Sequence, residues 1–308
     1  MSNLDRVLII IGNGLGNLVA QSPLVAAMAE LSKQTYVWAP KSPEQYLEIF
    51  TGMSRVHAFS NVWLDLFHDV DAVVATWLFR AELMGIHTTG RLAKILGPNP
   101  LITLTNEVDA CMFPARRLGW VGEAPKPFVC RKSSQLSKVL ARDRKIKVAI
   151  STGRKPDKMW AYKEYPPEYY VESLKILRKK LGPMSVIHVG SEHDASLDAK
   201  GVTDARGSYT VPETATVLQN CDVFIGNDTG LSWVASAVGT KVFSIFGPTD
   251  PSKCLPPWGA RAIRNNIWCQ PCQRLVFGVR PDGSKCSKEC MLQLSPEVVA
   301  SEVSGAFI

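Results

Sequence analysis

No apolar run in this 308-residue chain reaches the ~18 residues that a membrane-crossing helix needs. Nor does the N-terminus carry a basic segment followed by a cleavable apolar stretch. Its first apolar run, Val7 to Ile11, is strand-length and leads into a glycine loop. The expectation is a chain with no transmembrane segment and no secretory signal, placed in the cytoplasm. Charged residues are scarce at 20%, against 46% hydrophobic residues, which excludes a disordered chain and leaves ample material for folded cores. No repeat of fixed short period runs through the sequence. Acidic side chains are outnumbered, 28 to 35, for a net charge of +7. That surplus suits anionic ligands such as nucleotide phosphates, lipid head groups or nucleic acid. The cations are spread along the chain, however, with local runs only at Arg142 to Lys147 and Arg178 to Lys180, so a solvated basic surface is the plainer reading.

What is present is alternation of strand and helix. Arg6 to Ile11 is aliphatic, as a strand buried on both faces should be, and a helix follows through Ala26, Met28 and Leu31. Strands are expected at Thr35 to Trp38, Val56 to Phe59, Ala72 to Thr76 and Leu101 to Leu104, with a helix at Glu44 to Phe50. The stretch Pro125 to Lys147, rich in Pro, Lys, Arg and Ser, reads as a boundary, giving domains 1–135 and 136–308. Beyond it the alternation restarts. Strands are expected at Lys147 to Ser151, Val186 to Val189, Val223 to Ile225 and Val242 to Phe246. Helices are expected at Glu168 to Leu181, stopped by Gly182 and Pro183, and at Pro212 to Gln219 and Ser232 to Val238. This pattern predicts an α/β protein of two Rossmann-like domains facing a central cleft, with ligands at the carboxyl ends of the strands.

Four segments carry residues suited to chemistry. Gly12, Gly14 and Gly16 let a backbone approach a phosphate or an acceptor, but their spacing is not the GxGxxG fingerprint, and a plain strand-to-helix turn accounts for them equally well. STGRKPDKMW, Ser151 to Trp160, follows a strand and gathers hydroxyls and cations suited to a diphosphate, or forms a solvated basic loop. GNDTGLSWVASAVG, Gly226 to Gly239, puts Asp228, Thr229, Gly230, Leu231 and Ser232 at the start of a helix, where free amides and the helix field favour an anion. Asp228 there also suits a plain helix cap. Lastly, Cys269 and Cys272 form a CxxC, Cys286 and Cys290 a CxxxC, with 13 residues between the pairs. This spacing predicts a closed four-cysteine metal site, zinc by default and iron as the competitor, structural because four thiolates leave no open position. The other four cysteines show no such spacing and read as core or incidental thiols.

Taken together these motifs resemble glycosyltransferase family 9, the ADP-heptose heptosyltransferases. NDTGLS at Asn227 to Ser232, FGPTDP at Phe246 to Pro251, STGRKPDKMW, TNEVDACMFPARRLG at Thr105 to Gly119 and the WCQPC tail with Cys286 and Cys290 each carry part of the likeness. The resemblance implies a GT-B fold and inverting transfer with no catalytic metal. It also implies an N-terminal domain for the acceptor and a C-terminal domain for an ADP-heptose-like nucleotide-sugar donor. Ser151, Thr152 and Lys158 would then contact the donor diphosphate, Glu192 the ribose, and Asp228, Thr229 and Gly230, with Leu231 and Ser232, the sugar and phosphates. Gly14 and Gly16 would belong to the acceptor loop.

Two positions depart from the family pattern. Its histidine after DTGLS is Trp233 here, either a stacking surface or a packed core ring. Its proposed catalytic aspartate in the first glycine loop is Asn17, and an amide cannot accept a proton at neutral pH. The base is therefore sought among Asp65, Asp69, Asp71, Glu107 and Asp109. Asp65, set between Trp63 and Phe67, and Glu107 are favoured. The acceptor hydroxyl is expected on a glycan or lipid, with protein or modified DNA as alternatives. Competing readings are a protein- or nucleic-acid-binding module built on the cysteine knuckle with Arg274, Arg280, Lys285 and Lys288, and a catalytically dead sugar-nucleotide binder.

Overall fold

A computed structural model describes residues 4–12, 14–39, 42–60, 70–75, 94–96, 106–153, 158–272 and 279–307, without the side chains of 94–96 and 158–160. The chain divides into two compact units, Met1–Arg131 and Lys132–Ile308. Backbone partners change at that point: Cys130 N–H donates to the carbonyl of Ile49 at 2.7 Å, and Lys132 N–H to that of Pro212 at 3.0 Å.

The first unit holds β1 (Leu4–Ile10), α1 (Leu15–Leu31), β2 (Ser32–Trp38), α2 (Glu44–Leu47) with a 3-10 turn Glu48–Phe50, β3 (Val56–Phe59), β4 (Ala72–Ala75), β5 (Lys94–Leu96) and α3 (Glu107–Arg117). The strands form a parallel sheet in the order β3-β2-β1-β4-β5. β1 lies centrally, and Val7 to Ile10 are wholly buried, which is why this strand reads as a continuous aliphatic run. Gly14, at φ +101°, makes the turn from β1 into α1, a conformation costly for any residue with a Cβ.

The second unit begins with α4 (Gln135–Arg142), capped by a reciprocal Ser134–Ser137 box. There follow β6 (Ile146–Ser151), a 3-10 helix Lys158–Lys163, α5 (Pro167–Leu181), β7 (Met184–His188), β8 (Val202–Asp204) and α6 (Val211–Gln219). The unit closes with β9 (Val223–Asn227), α7 (Gly230–Ala237), β10 (Lys241–Phe246), α8 (Pro251–Cys254), β11 (Ala260–Arg264), α9 (Glu289–Leu292) and α10 (Pro296–Ser304). Its sheet is parallel throughout, in the order β11-β10-β9-β6-β7-β8. Counted from β6, that is the doubly wound order in which direction reverses between the first strand and the fourth, here β6 and β9. The core on one face joins Val148, Ile150, Ile225 and Phe243 to Leu174 and Leu177 of α5 and Val299 and Val303 of α10. Each fully buried side chain of this kind contributes about 1.5–3 kcal/mol. Tyr165 and Tyr170 pack edge to face at 5.1 Å within it.

Two Rossmann-like units of this kind are the components of the GT-B fold. Several sequence expectations shift in detail. α7 starts at Gly230, two residues before the expected Ser232, and β8, β11 and α10 were not anticipated. Thr76 and the expected strand Leu101 to Leu104 lie outside the described residues. Among the described residues no helix is long and apolar enough to cross a membrane.

Candidate functional site

A doubly wound sheet holds its ligand crevice at the carboxyl ends of the strands where the order reverses, here β6 and β9. β6 delivers Ser151, Thr152 and Gly153 there; β9 delivers Asn227, Asp228 and Thr229. The two loops touch. Gly153 has φ +60°, and a Cβ on it would lie 2.6 Å from Thr229 Cγ2, so only glycine fits. The carbonyl of Thr152 accepts from Asn227 Nδ2 at 2.6 Å. Thr152 Oγ1 donates to the carbonyl of Ala195 at 2.9 Å and lies 3.4 Å from His188 Nε2. Gly153 N–H donates to Asp194 Oδ2 at 3.1 Å, so the loop after β7 is drawn into the same site.

Thr229 is the N-cap of α7. The first amides of this helix have no carbonyl partner within it, and the helix field there favours an anion. Thr229 Oγ1 is buried without a hydrogen-bond partner, an uncommon and costly state for a hydroxyl. Ser232 Oγ is turned inward to the carbonyl of Asn227 at 2.8 Å. Asp228 is engaged as well: Lys163 Nζ lies 2.5 Å from its Oδ2, and Thr249 Oγ1 donates to the same oxygen at 2.8 Å. Both members of the ion pair are largely buried, so removing either would strand a charge. A lysine is thereby fixed beside the start of α7. Hydroxyls, backbone amides and an anchored ammonium are the groups that bind a phosphate ester.

Ser151 and Thr152 on one loop, and Asp228, Thr229, Gly230, Leu231 and Ser232 on the other, thus follow the two strands at this reversal. Glu192 stands on the neighbouring loop after β7, its side chain 78% exposed and 3.7 Å from His193. Lys158 opens the 3-10 helix that ends at Lys163; its side chain is not described. Gly14, Gly16 and Asn17 sit at the start of α1 in the first unit, and Glu107 is the first residue of α3, capped by Asn106. Burial, and then the Glu107 carboxylate one turn away, push the Cys111 thiol well up. Asp65 and Asp69 lie outside the described residues. Trp233 is 4% exposed and packs edge-on against Trp258 at 6.0 Å, so it is a core ring and not a stacking surface for a ligand. Lys163, Asp194, Asn227, His188 and Thr249 escaped the sequence reading as site residues. Asn227 and Thr249 lie inside the NDTGLS and FGPTDP motifs, and His188 ends a strand; Lys163 and Asp194 carry no local signal.

Burial, followed by the charge of Arg206, lowers the His188 pKa to about 4, so the imidazole beside Thr152 is neutral at pH 7. Burial raises the Asp194 carboxyl, against the pull of its hydrogen bonds from Ser191, Gly153 and Ser151.

The expected four-cysteine metal site is not borne out. Among the described residues no group of three or more His, Cys, Asp or Glu side chains is disposed to hold a metal ion. Cys269, Cys272, Cys286 and Cys290 are free thiols lining a cavity of about 10 Å³ with Tyr162, Ile267 and Arg280. Chain spacing brings the cysteines into one neighbourhood but does not aim their sulfurs. Cys290 belongs to α9 and packs in the core beside Met291. Neither zinc nor iron is assigned to these residues.

Residues 125–276, which carry both loops of the crevice, match the model of glycosyltransferase family 9 (heptosyltransferase). Lipooligosaccharide heptosyltransferase 2 of Campylobacter jejuni subsp. jejuni serotype O:6 is 31% identical over 94 residues, 29% of this chain and 28% of that protein. The chain therefore spans under a third of the length of the curated relatives it matches. The E. coli ADP-heptose LPS heptosyltransferase II structure covers 98% of both chains at 15% identity, with a TM-score of 0.66. The iron-containing dodecameric glycosyltransferase TibC from enterotoxigenic E. coli H10407 covers 100% of this chain and 77% of its own, at 16% identity and a TM-score of 0.69. At such identities the likeness shows the fold; the iron is that protein's. The segment 125–276, just under half of the chain, is thus similar in sequence to glycosyltransferase family 9, and the whole chain has the fold of the heptosyltransferase structures.

Proposed function

We propose that the protein is a nucleotide-sugar-dependent glycosyltransferase, moving a sugar from an ADP-heptose-like donor to a hydroxyl acceptor with inversion. One observation carries the reading. The Ser151–Gly153 loop, the start of α7 and the Lys163–Asp228 pair converge at the strand reversal, inside the segment that matches the family model. In this reading the second unit binds the donor. Ser151, Thr152, Lys158 and the first amides of α7 take the diphosphate, Thr229 Oγ1 gains its missing partner, and the exposed Glu192 receives the ribose hydroxyls. The first unit takes the acceptor, a glycan or lipid hydroxyl, at the Gly14–Gly16 loop.

Inverting transfer has two chemical requirements. The acceptor oxygen attacks the anomeric carbon opposite the leaving diphosphate and gives its proton to a base, and the diphosphate is stabilised as it departs. The amides and cations of the second unit serve the second need. For the first, Asp65 and Glu107 are the proposed carboxylates, and Asn17 orients the acceptor without taking its proton.

The test is calorimetry and thermal shift against ADP, UDP, GDP and CDP and their sugars. One nucleoside diphosphate is expected to raise the melting temperature selectively, as a ligand of the folded state must. Lys158→Ala and Thr229→Val should weaken that ligand by roughly tenfold, the worth of one charge-assisted hydrogen bond. Silence across the panel would count decisively against the proposal. Unchanged turnover in both Asp65→Asn and Glu107→Gln would remove those two carboxylates as bases.

A further inference from the structure

The Thr152–Gly153 peptide group is gripped at both ends by buried side chains, one from the end of β9 and one from the loop after β7. Its carbonyl accepts from Asn227 Nδ2 at 2.6 Å, and its N–H donates to Asp194 Oδ2 at 3.1 Å. Asn227 is 0% exposed and Asp194 6%.

Each grip is itself fixed. Asn227 Oδ1 accepts from Tyr165 N–H at 3.2 Å and from Tyr170 Oη at 2.9 Å, which sets the amide orientation and turns Nδ2 to Thr152. Asp194 Oδ1 accepts from Ser191 Oγ at 2.6 Å, and its Oδ2 accepts from Ser151 Oγ at 3.4 Å as well as from Gly153. Glycines at two positions allow the grips to come this close. A Cβ on Gly190, at φ +148°, would lie 2.2 Å from Asp194 Oδ2, and one on Gly153 would collide with Thr229.

We propose that Asp194 and Asn227 are positioning residues that lock the Thr152–Gly153 peptide, so that the diphosphate loop is in its binding geometry before the donor arrives. Asp194 also couples that loop to the one carrying Glu192, two residues away, so diphosphate and ribose contacts are set by one carboxylate. The inference rests on the reading of this crevice as the donor site. The physical gain is that no loop has to be ordered on binding; freezing a few mobile residues would weaken affinity on the order of 10- to 100-fold.

The discriminating variant is Asp194→Ala in the full chain, which removes both acceptor oxygens; an amide would not serve, because its oxygen could still accept from Gly153 N–H while its NH₂ donated to the Ser191 hydroxyl oxygen. Two quantities are measured: amide hydrogen exchange over 151–153 without ligand, and the Kd for ADP by calorimetry. The expected result is faster exchange at Gly153 together with ADP binding weakened about tenfold or more, with a larger entropic loss on binding. Ser191→Ala, which removes only the Oδ1 partner, should give a smaller change of the same kind and serves where Asp194→Ala does not fold. Faster exchange with an unchanged Kd would reduce Asp194 to a structural residue and overturn the proposal, as would unchanged exchange. Failure of the unaltered protein to bind any nucleoside diphosphate would overturn the donor reading and this inference with it. Binding by the unaltered protein with no loss in either variant overturns this inference alone.

Discussion

His188 ends β7 with 1% of its surface exposed and its ring beside the Thr152 hydroxyl. Its pKa is lowered to about 4, by burial first and by Arg206 second, with Asp204 pulling the other way. In the unfolded chain the imidazole titrates near 6.5. The folded state therefore favours the neutral ring. The associated stability is complete above pH 6.5 and is lost as pH falls through 4, at up to about 1.4 kcal/mol per unit and about 3 kcal/mol in all. Asp194, whose carboxyl is raised by burial, contributes with the opposite sign, since stability held by a raised pKa is present at low pH and lost as pH rises. The informative quantity is thus a difference. Urea unfolding of the unaltered protein and of His188→Gln, from pH 7 to pH 4, should show the steeper loss only where the histidine is present. Parallel profiles would mean that His188 titrates normally in the fold. None of this was legible from the sequence, because the shift depends on neighbours from β6 and the loop after β8 that only topology supplies. The same is true of Lys163, which no spacing rule connects to Asp228, 65 residues away.

At the scale of elements, what the sequence reveals depends on how local the determining force is. α6 is set by a Thr-x-x-Glu box: Glu213 N–H donates to Thr210 Oγ1 at 3.4 Å, and Thr210 N–H to Glu213 Oε2 at 3.0 Å. Those backbone and side-chain bonds hold the Glu213 carboxyl below its ordinary range. The cap is mostly exposed and makes its bonds within α6 rather than to the residues of the crevice. Thr210→Ala should therefore cost about 1 kcal/mol in urea unfolding and leave nucleotide affinity unchanged. A cost near zero would show that α6 is held by packing alone. Central strands and the α5 stop at Gly182 were equally readable, one from a run of buried aliphatics and the other from a left-handed glycine at φ +83°. β8 and β11 were not. They are short edge strands with mostly exposed or half-buried side chains, so their sequences carry no strong period. The cysteine pairs mark the opposite failure: a clear spacing that predicts a metal site, without a metal-binding group among the described residues.

At the scale of the whole molecule, two sheets with separate cores divide the labour expected of the protein. Alternation along the chain made two Rossmann-like units legible. The strand orders were not, and it is the order that places β6 beside β9 and so creates the crevice. This has a consequence for hydrogen exchange in the full chain. A nucleoside diphosphate at 100 times its Kd stabilises the state it binds by about 2.7 kcal/mol, equivalent to roughly a 100-fold slowing of exchange through unfolding of that unit. Because every proposed donor contact lies after Lys132, protection should appear over 151–153, 190–195 and 227–232 and through the β6–β9 core. Amides of β1, β2 and β3 should exchange as before, apart from any protection transmitted by shared unfolding. That contribution can be read from Thr210→Ala, a change confined to the second unit: whatever slowing it removes from β1 to β3 measures the coupling. Protection centred on the Gly14–Gly16 loop instead would place the nucleotide in the first unit. The assignment of donor and acceptor to the two sheets would then have to be exchanged.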